Sequence, residues 1–452
     1  MSAKVLISTL AMAACLAAAA PVAAQAADPI VTQTFVHLDR GEPAVLYAPA
    51  TPGPKSHIAV LAMHSAGDYL TFSACTELSK RGYTVLCANN STDKSGTFDD
   101  GILDDILLQV KTAVTYLRHV PGIDKVVLLG HSGGATVMTA YQDIAEGGVK
   151  ACNGPEKIHK CPDSLAGLPV ADGVVLADAN WGIAEMTLFS IDPAVISETS
   201  GKKLNPALDM YAPANGFSPK GSHYSAAFEK KFLTGEGARN TAILKRAQAR
   251  LKAIEAGQGD YDDDEPFIVP GASLLGGNNK LFSQDTHLLS RTRKAWPLVK
   301  ADGSVITGIV HTVRVPENME NLSHAMKAGA LKTTVKNYLN NYAIRVTPDF
   351  GYDESGVHGV DWTSTYASVP GNAEGIHAPL LALGMTGHWE GLAAEEAYDH
   401  AASVDKSLAF IEGATHLYTP CKPCEATPGQ FGDTVKTTYD YIDGWLSKPG
   451  RF

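Results

Sequence analysis

Beyond residue 26, the 452-residue chain has no apolar run long enough to cross a bilayer, so no membrane span is expected. It is also short of positive charge. Lys and Arg number 37 against 48 Asp and Glu, a formal net charge of −11. That balance argues against nucleic acid or an anionic membrane as partner. No Gly-x-Gly-x-x-Gly follows the first parallel strand the pattern predicts, so no dinucleotide cofactor is expected. No paired histidine–carboxylate motif suggests zinc. The acidic run Asp262, Asp263, Asp264 and Glu265 lacks the spacing and the glycine of a calcium loop, and reads as a solvated loop. No internal repeat is visible. Neither a cofactor nor a metal is expected, and the sequence carries no signal for an oligomeric state.

What is present describes a globular chain. Hydrophobic residues make up 45% and charged residues 19%, enough apolar material for a sizeable core. The N-terminus has one lysine, Lys4, then an alanine-rich apolar run from Val5 to Ala20, then Ala24-Gln25-Ala26. This is the pattern of a secretory signal peptide cleaved after Ala26, and it predicts a secreted or periplasmic protein. Cleavage removes Cys15 and leaves Cys75, Cys87, Cys152, Cys161, Cys421 and Cys424. An even number of cysteines in an exported chain suggests disulfides. Proximity favours Cys75–Cys87, Cys152–Cys161 and Cys421–Cys424. A redox role for Cys421-Lys-Pro-Cys424 is disfavoured, because no thioredoxin-like βαβ pattern surrounds it.

Along the chain, two apolar segments flank Asp39-Arg-Gly-Glu42 and predict an antiparallel hairpin. Short buried strands then alternate with helices. "HIAVLAMHS" is a strand, Leu70 to Lys80 a helix and "YTVLCA" a strand. Leu103, Ile106, Leu107, Val110, Val114 and Leu117 recur at helical spacing, and "KVVLLG" is the next strand. This order predicts a mostly parallel sheet covered by helices on both faces. "GVVLAD", Gly173 to Asp178, is a further strand, after which the alternation stops. It resumes at "PLLALG" (Pro379 to Gly384), with a helix over Leu392 to His400, a strand in "SLAFIEGATH" and a last helix ending near Leu446. The intervening stretch contains a charged helix over Ile243 to Ala256 and a hairpin around "ADGS". The organisation expected is a signal peptide (1–26), a first core part (27–182), a cap or lid insertion (183–376) and a second core part (377–452).

Ser132 sits in "VVLLGHSGGATVMTAY", between an apolar strand and an apolar helix. A serine flanked by glycines at a strand-to-helix turn is a nucleophile elbow. The turn is tight, so Gly130 and Gly134 must be small, and the helix N-terminus beyond the serine favours developing negative charge. The serine hydroxyl needs a base. His416, in "FIEGATH" after a late strand, stands where the order nucleophile, acid, histidine requires it.

With "GHSGG", "MHSAGD" after an early strand and "GATH" near the end, the chain resembles the α/β-hydrolase superfamily of serine esterases and lipases. The resemblance covers Ile30 to Cys152, Gly173 to Trp181 and Pro379 to Leu446, and leaves the insertion out. It implies an α/β-hydrolase core with a large inserted cap. It also implies an oxyanion hole built from the backbone N–H of Gly133 and a second donor from Ser65 or Ala66, with His64 shaping that loop. Two acids stay open. Asp178 ends the strand that follows the nucleophile helix, as in some lipases and dehalogenases. Glu390 follows the later strand, where Gly387 and His388 hold the place of the commoner aspartate.

The expected function is a secreted serine hydrolase that cleaves a carboxylic ester, of a small molecule or a polymer, through an acyl-enzyme on Ser132. Amidase, peptidase or lactonase chemistry uses the same triad, and a hydrolase-like fold kept as a binding module belongs to another class. Trp181, Phe189, Phe217, Tyr224, Trp296 and Trp362 are candidates for an aromatic or apolar acyl pocket.

Overall fold

The computed structural model describes residues 30–94, 101–272, 280–317 and 329–452. The signal-peptide expectation falls outside them. Among the described residues, no helix is long and apolar enough to cross a membrane.

The predicted N-terminal hairpin is β1 (Val31–His37) with β2 (Pro43–Pro49), paired antiparallel. Then come β3 (Ile58–Ala62), helix α1 (Ser73–Lys80), β4 (Thr84–Ala88), α2 (Leu103–His119), β5 (Lys125–Ser132), α3 (Gly134–Gly147) and β6 (Gly173–Ala179). The insertion holds β7 (Pro266–Pro270), β8 (Arg291–Val299), β9 (Val305–His311), β10 (Ala330–Thr334), β11 (Arg345–Tyr352) and β12 (Val357–Asp361). The chain closes with β13 (Leu380–Met385), β14 (Lys406–Ile411) and a helix over Thr434–Leu446.

One ten-stranded sheet runs β1-β2-β4-β3-β5-β6-β13-β14-β8-β9. From β4 to β8 every neighbouring pair is parallel, and antiparallel strands close both edges. Side-chain alternation makes the two faces. Ala59 and Leu61 of β3 join the core under α2 and α3, while Ile58, Val60 and Ala62 join the core under α1 and the C-terminal helix. Both faces are apolar because helices cover both.

The insertion departs from a simple cap. The hairpin expected around "ADGS" forms as β8 and β9, but β8 pairs parallel with β14 through Phe410↔Leu298 and Ile411↔Val299. Part of 183–376 therefore extends the core sheet. An exposed edge at β14 is a liability that the hairpin covers. The remainder carries two small sheets, β7 with β10 and β11 with β12, beside a 30-residue helix, Ala226–Glu255. The sequence predicts only the C-terminal half of that helix. Gly235 and Gly237 obscure its first half, and both are contact positions. A Cβ on Gly235 would lie 2.9 Å from Pro193, and one on Gly237 3.1 Å from the Phe350 ring.

Asp262 and Asp263 of the acidic run are exposed, and Asp264 is half-buried. Glu265 is buried and accepts from Arg250 at 2.5 Å. The cysteines pair as Cys75–Cys87, Cys152–Cys161 and Cys421–Cys424, with Cα separations of 6.0, 5.6 and 5.2 Å.

Candidate active site

Ser132 ends β5, and α3 begins two residues later. Its φ of 52° lies in the left-handed region, where a side chain carries strain. The surrounding glycines leave no room for alternatives. A Cβ on Gly130 would stand 2.6 Å from Ala135 Cα, and one on Gly134 2.6 Å from the Met63 carbonyl oxygen. Both obstacles are backbone, so neither position accepts a larger residue without moving strand against helix. Ser132 itself stays partly exposed.

Asp178, near the end of the neighbouring strand β6, also has a left-handed φ, 48°. It is fully buried. Its Oδ2 accepts from His416 Nδ1 at 2.7 Å, and its Oδ1 accepts the Met385 N–H at 3.0 Å. His388 Nδ1 lies 3.2 Å from the same Oδ2. Burial alone would push this carboxyl up; its contacts and charge interactions with His388 and His416 outweigh burial and hold it down at about 2. The acid is ionised at any neutral pH. It fixes the proton of His416 on Nδ1, which leaves Nε2 with its lone pair free.

Glu390 reaches the same imidazole. Its Oε2 stands 3.5 Å from His416 Nδ1 but has no hydrogen-bond partner. Burial pushes its carboxyl up to about 7, against the opposing charge of His416. The structure thus brings both sequence candidates to one nitrogen and gives the short hydrogen bond to Asp178.

The imidazole of His416 is held from both sides. The His131 and His388 rings each lie with their centroids 4.4 Å from its own. His131 Nε2 donates to the His416 carbonyl at 2.7 Å, and the Tyr69 hydroxyl donates to His131 Nδ1. Burial and the nearby His416 charge hold the His131 ring well below the ordinary histidine range, consistent with a neutral ring that donates from one nitrogen and accepts at the other. Sequence reasoning missed His131 and His388 as supports. His131 was visible only as the variable residue of Gly-x-Ser-x-Gly. His388 was visible only as the residue standing where an aspartate was sought.

The oxyanion loop differs in one respect from expectation. His64 Nδ1 accepts the N–H groups of Ala66 at 3.0 Å and Gly67 at 2.7 Å. Ala66 therefore spends its donor on His64 and drops out as the second oxyanion donor. Ser65 remains, with its hydroxyl against the position a Gly133 Cβ would take. Burial, then the charges of His416 and Lys94, bring His64 down to about 3, so the ring is neutral. With Nδ1 accepting, its proton sits on Nε2, which faces Gly133. His64 shapes the loop, as the sequence suggested.

The insertion meets this site through the loop after β13. Trp389 Nε1 donates to Glu317 at 2.9 Å, the Val313 N–H donates to the Thr386 carbonyl at 2.8 Å, and Phe282 packs on Trp389. Of the predicted acyl-pocket aromatics, Trp181 and Phe189 meet and both pack on Phe282, while the other four lie apart from them. Trp181 and Phe189 are buried edge to face against each other, Tyr224 stacks on Phe228, and Phe217 packs on Tyr211. Trp296 lies in β8 and donates to Glu395, and Trp362 packs on His400. Trp181, Phe189 and Tyr224 are buried in the core, whereas Phe217, Trp296 and Trp362 are half-buried.

Strand order, the strained serine at the turn after β5 and a late histidine paired to a carboxylate together define an α/β-hydrolase fold. No protein-family model and no curated protein matches the chain. Among solved structures it is similar to an α/β hydrolase, GrgF, from Penicillium, with 11% identity, coverage of 94% of this chain and 100% of that one, and a TM-score of 0.40. It is similar to brefeldin A esterase, described as a bacterial homologue of human hormone-sensitive lipase, with 12% identity, coverage of 95% and 80%, and a TM-score of 0.38. It is also similar to a dienelactone hydrolase from Anabaena variabilis, with 10% identity, coverage of 93% and 97%, and a TM-score of 0.36. Likenesses this distant say nothing about substrate.

Proposed function

We propose that the protein is an exported serine hydrolase that cleaves a carboxylic ester through an acyl-enzyme on Ser132. His416 Nε2 takes the hydroxyl proton as Ser132 Oγ bonds to the ester carbonyl carbon. The carbonyl oxygen becomes an oxyanion and receives the N–H groups of Gly133 and Ser65. Collapse breaks the bond to the alkoxide, which leaves with the proton from His416. Water then gives a proton to His416 and its oxygen to the acyl carbon. The acid departs, and Ser132 recovers its proton. Asp178 stays ionised throughout and stabilises the imidazolium.

The observation that carries this reading is the 2.7 Å bond from His416 Nδ1 to a buried Asp178, beside a serine strained into the left-handed region. Export rests on the N-terminal pattern and on the three cysteine pairs, which persist in oxidising compartments. A panel of p-nitrophenyl and aryl esters of increasing acyl length tests the function. Hydrolysis of at least one ester is expected, with its loss in Ser132→Ala. A purified, folded chain inert towards the whole panel, yet active on an amide or a lactone through the same serine, would move the assignment to that chemistry.

A further inference from the structure

The insertion carries a second cluster of chemically capable side chains, away from Ser132. We propose that His223, Asp285 and His287 bind one divalent transition-metal ion of the zinc type. His223 Nδ1 stands 3.6 Å from Asp285 Oδ2, and His287 Nδ1 stands 3.2 Å from Asp285 Oδ1. All three donor atoms lie within 4.8 Å of one another. Ligands about 2.0–2.1 Å from a tetrahedral zinc stand roughly 3.3 Å apart, and each histidine–carboxylate spacing is close to that edge; the two rings face different oxygens of Asp285, so an ion would take the place of the His287–Asp285 hydrogen bond. Two imidazole nitrogens and one carboxylate oxygen select zinc and its neighbours over calcium or magnesium, which prefer an all-oxygen shell.

The backbone holds the cluster in place. The Ser222 N–H donates to the Gln284 carbonyl at 3.1 Å, and the Tyr224 N–H donates to Asp285 Oδ2 at 2.9 Å. Ser222, Tyr224 and Leu288 are buried, so both histidines extend from anchored segments. Asp285 is itself buried, and its orientation is set by these contacts before any ion arrives. Glu229, in the first turn of the Ala226–Glu255 helix, adds negative charge nearby, and its Oε1 has no hydrogen-bond partner. A cavity of about 350 Å³ opens beside the cluster, lined by Glu229 and His287, and leaves room for water to complete the shell. The ion ties the segment that precedes the long helix to the segment that precedes β8, and so braces the insertion. The ligands are far apart in sequence except for Asp285-Thr286-His287, which explains why no zinc motif was legible.

The test separates this cluster from Asp178, His388, Glu390 and His416, the other group among the described residues whose spacing could hold an ion. The metal-stripped full chain is titrated with Co²⁺, followed by its visible absorption, and with Zn²⁺ by calorimetry. His223→Ala and the double variant H223A/H287A are titrated alongside. His223 is largely exposed, so its loss leaves the fold alone. The single variant should weaken binding by at least about tenfold. The double variant should lose one equivalent of metal and the zinc-induced rise in Tm, with ester hydrolysis in metal-free buffer unchanged. A double variant that binds as many equivalents as the parent, with the same affinity, overturns the proposal. So does a parent chain whose only bound zinc inhibits hydrolysis and persists in the double variant.

Discussion

Two carboxylates approach one imidazole nitrogen in this molecule, and they are held in opposite ways. Asp178 hangs from the end of β6, in the middle of the sheet, and accepts from the His416 ring and from the Met385 main chain. Glu390 hangs from a short turn, Glu390–Leu392, after β13, and its nearer oxygen has no hydrogen-bond partner. Both are buried, yet the first is held at about 2 and the second is pushed up to about 7. Burial is common to both, so it does not set them apart. The difference lies in donors: a carboxylate that receives hydrogen bonds keeps its charge in a dry site, and one that receives none holds its proton to higher pH. The sequence left these two acids as alternatives for one role, whereas in the structure their surroundings drive the two carboxyls in opposite directions.

Three outcomes would break or sharpen the contrast. The largest concerns Asp178→Asn. Loss of the anion should leave a folded protein whose kcat falls roughly 10⁴-fold, because the amide no longer fixes the Nδ1–H tautomer or stabilises the imidazolium. Steady-state kinetics with the best ester, on protein of unchanged melting behaviour, measure it.

The next concerns stability against pH. The folded-state value of Glu390, about 7, lies above its ordinary 4.5. A group raised in this way favours the native state below about 4.5, and that contribution is lost as pH rises through about 7, by about 3 kcal/mol in all. Glu390→Gln has no proton to lose. Urea unfolding across this range should therefore show the variant gaining on the parent as pH rises. Asp178 has the opposite sign: lowered from 3.8, it contributes stability that is present above about 3.8 and lost as pH falls through about 2. A Glu390→Gln variant whose advantage grows as pH falls would contradict the protonation assigned to Glu390.

The smallest effect is on rate. At neutral pH Glu390→Gln should cost less than about tenfold in kcat/KM, about 1.4 kcal/mol. If this variant is the inactive one and Asp178→Asn survives, the roles of the two carboxylates are reversed.

Much of the arrangement was legible where one residue type had to meet one steric demand. Gly130 and Gly134 had to be small, and the structure puts backbone where their side chains would stand. The core strands were legible because Ile, Val, Leu and Ala fill positions buried on both faces. Regions whose partners lie far away in sequence were not. The apolar pattern of β8 says hairpin but cannot say that β14 waits beside it. The glycines that break the helical pattern at 235 and 237 acquire meaning only with Pro193 and Phe350 against them. His131 and His388 read as unremarkable loop and turn residues until the fold stacks them on His416. Ala66 looked equivalent to Ser65 until its amide proved to be turned onto His64.

The central claim is that Ser132 is a nucleophile activated by His416 and Asp178. A fluorophosphonate probe tests it most directly, with the adduct mapped by peptide mass spectrometry. The account predicts one adduct on the peptide carrying Ser132, none in Ser132→Ala, and labelling much slower in Asp178→Asn than in Glu390→Gln. A folded chain that takes no label, or that takes it elsewhere while Ser132→Ala still hydrolyses esters, would contradict it.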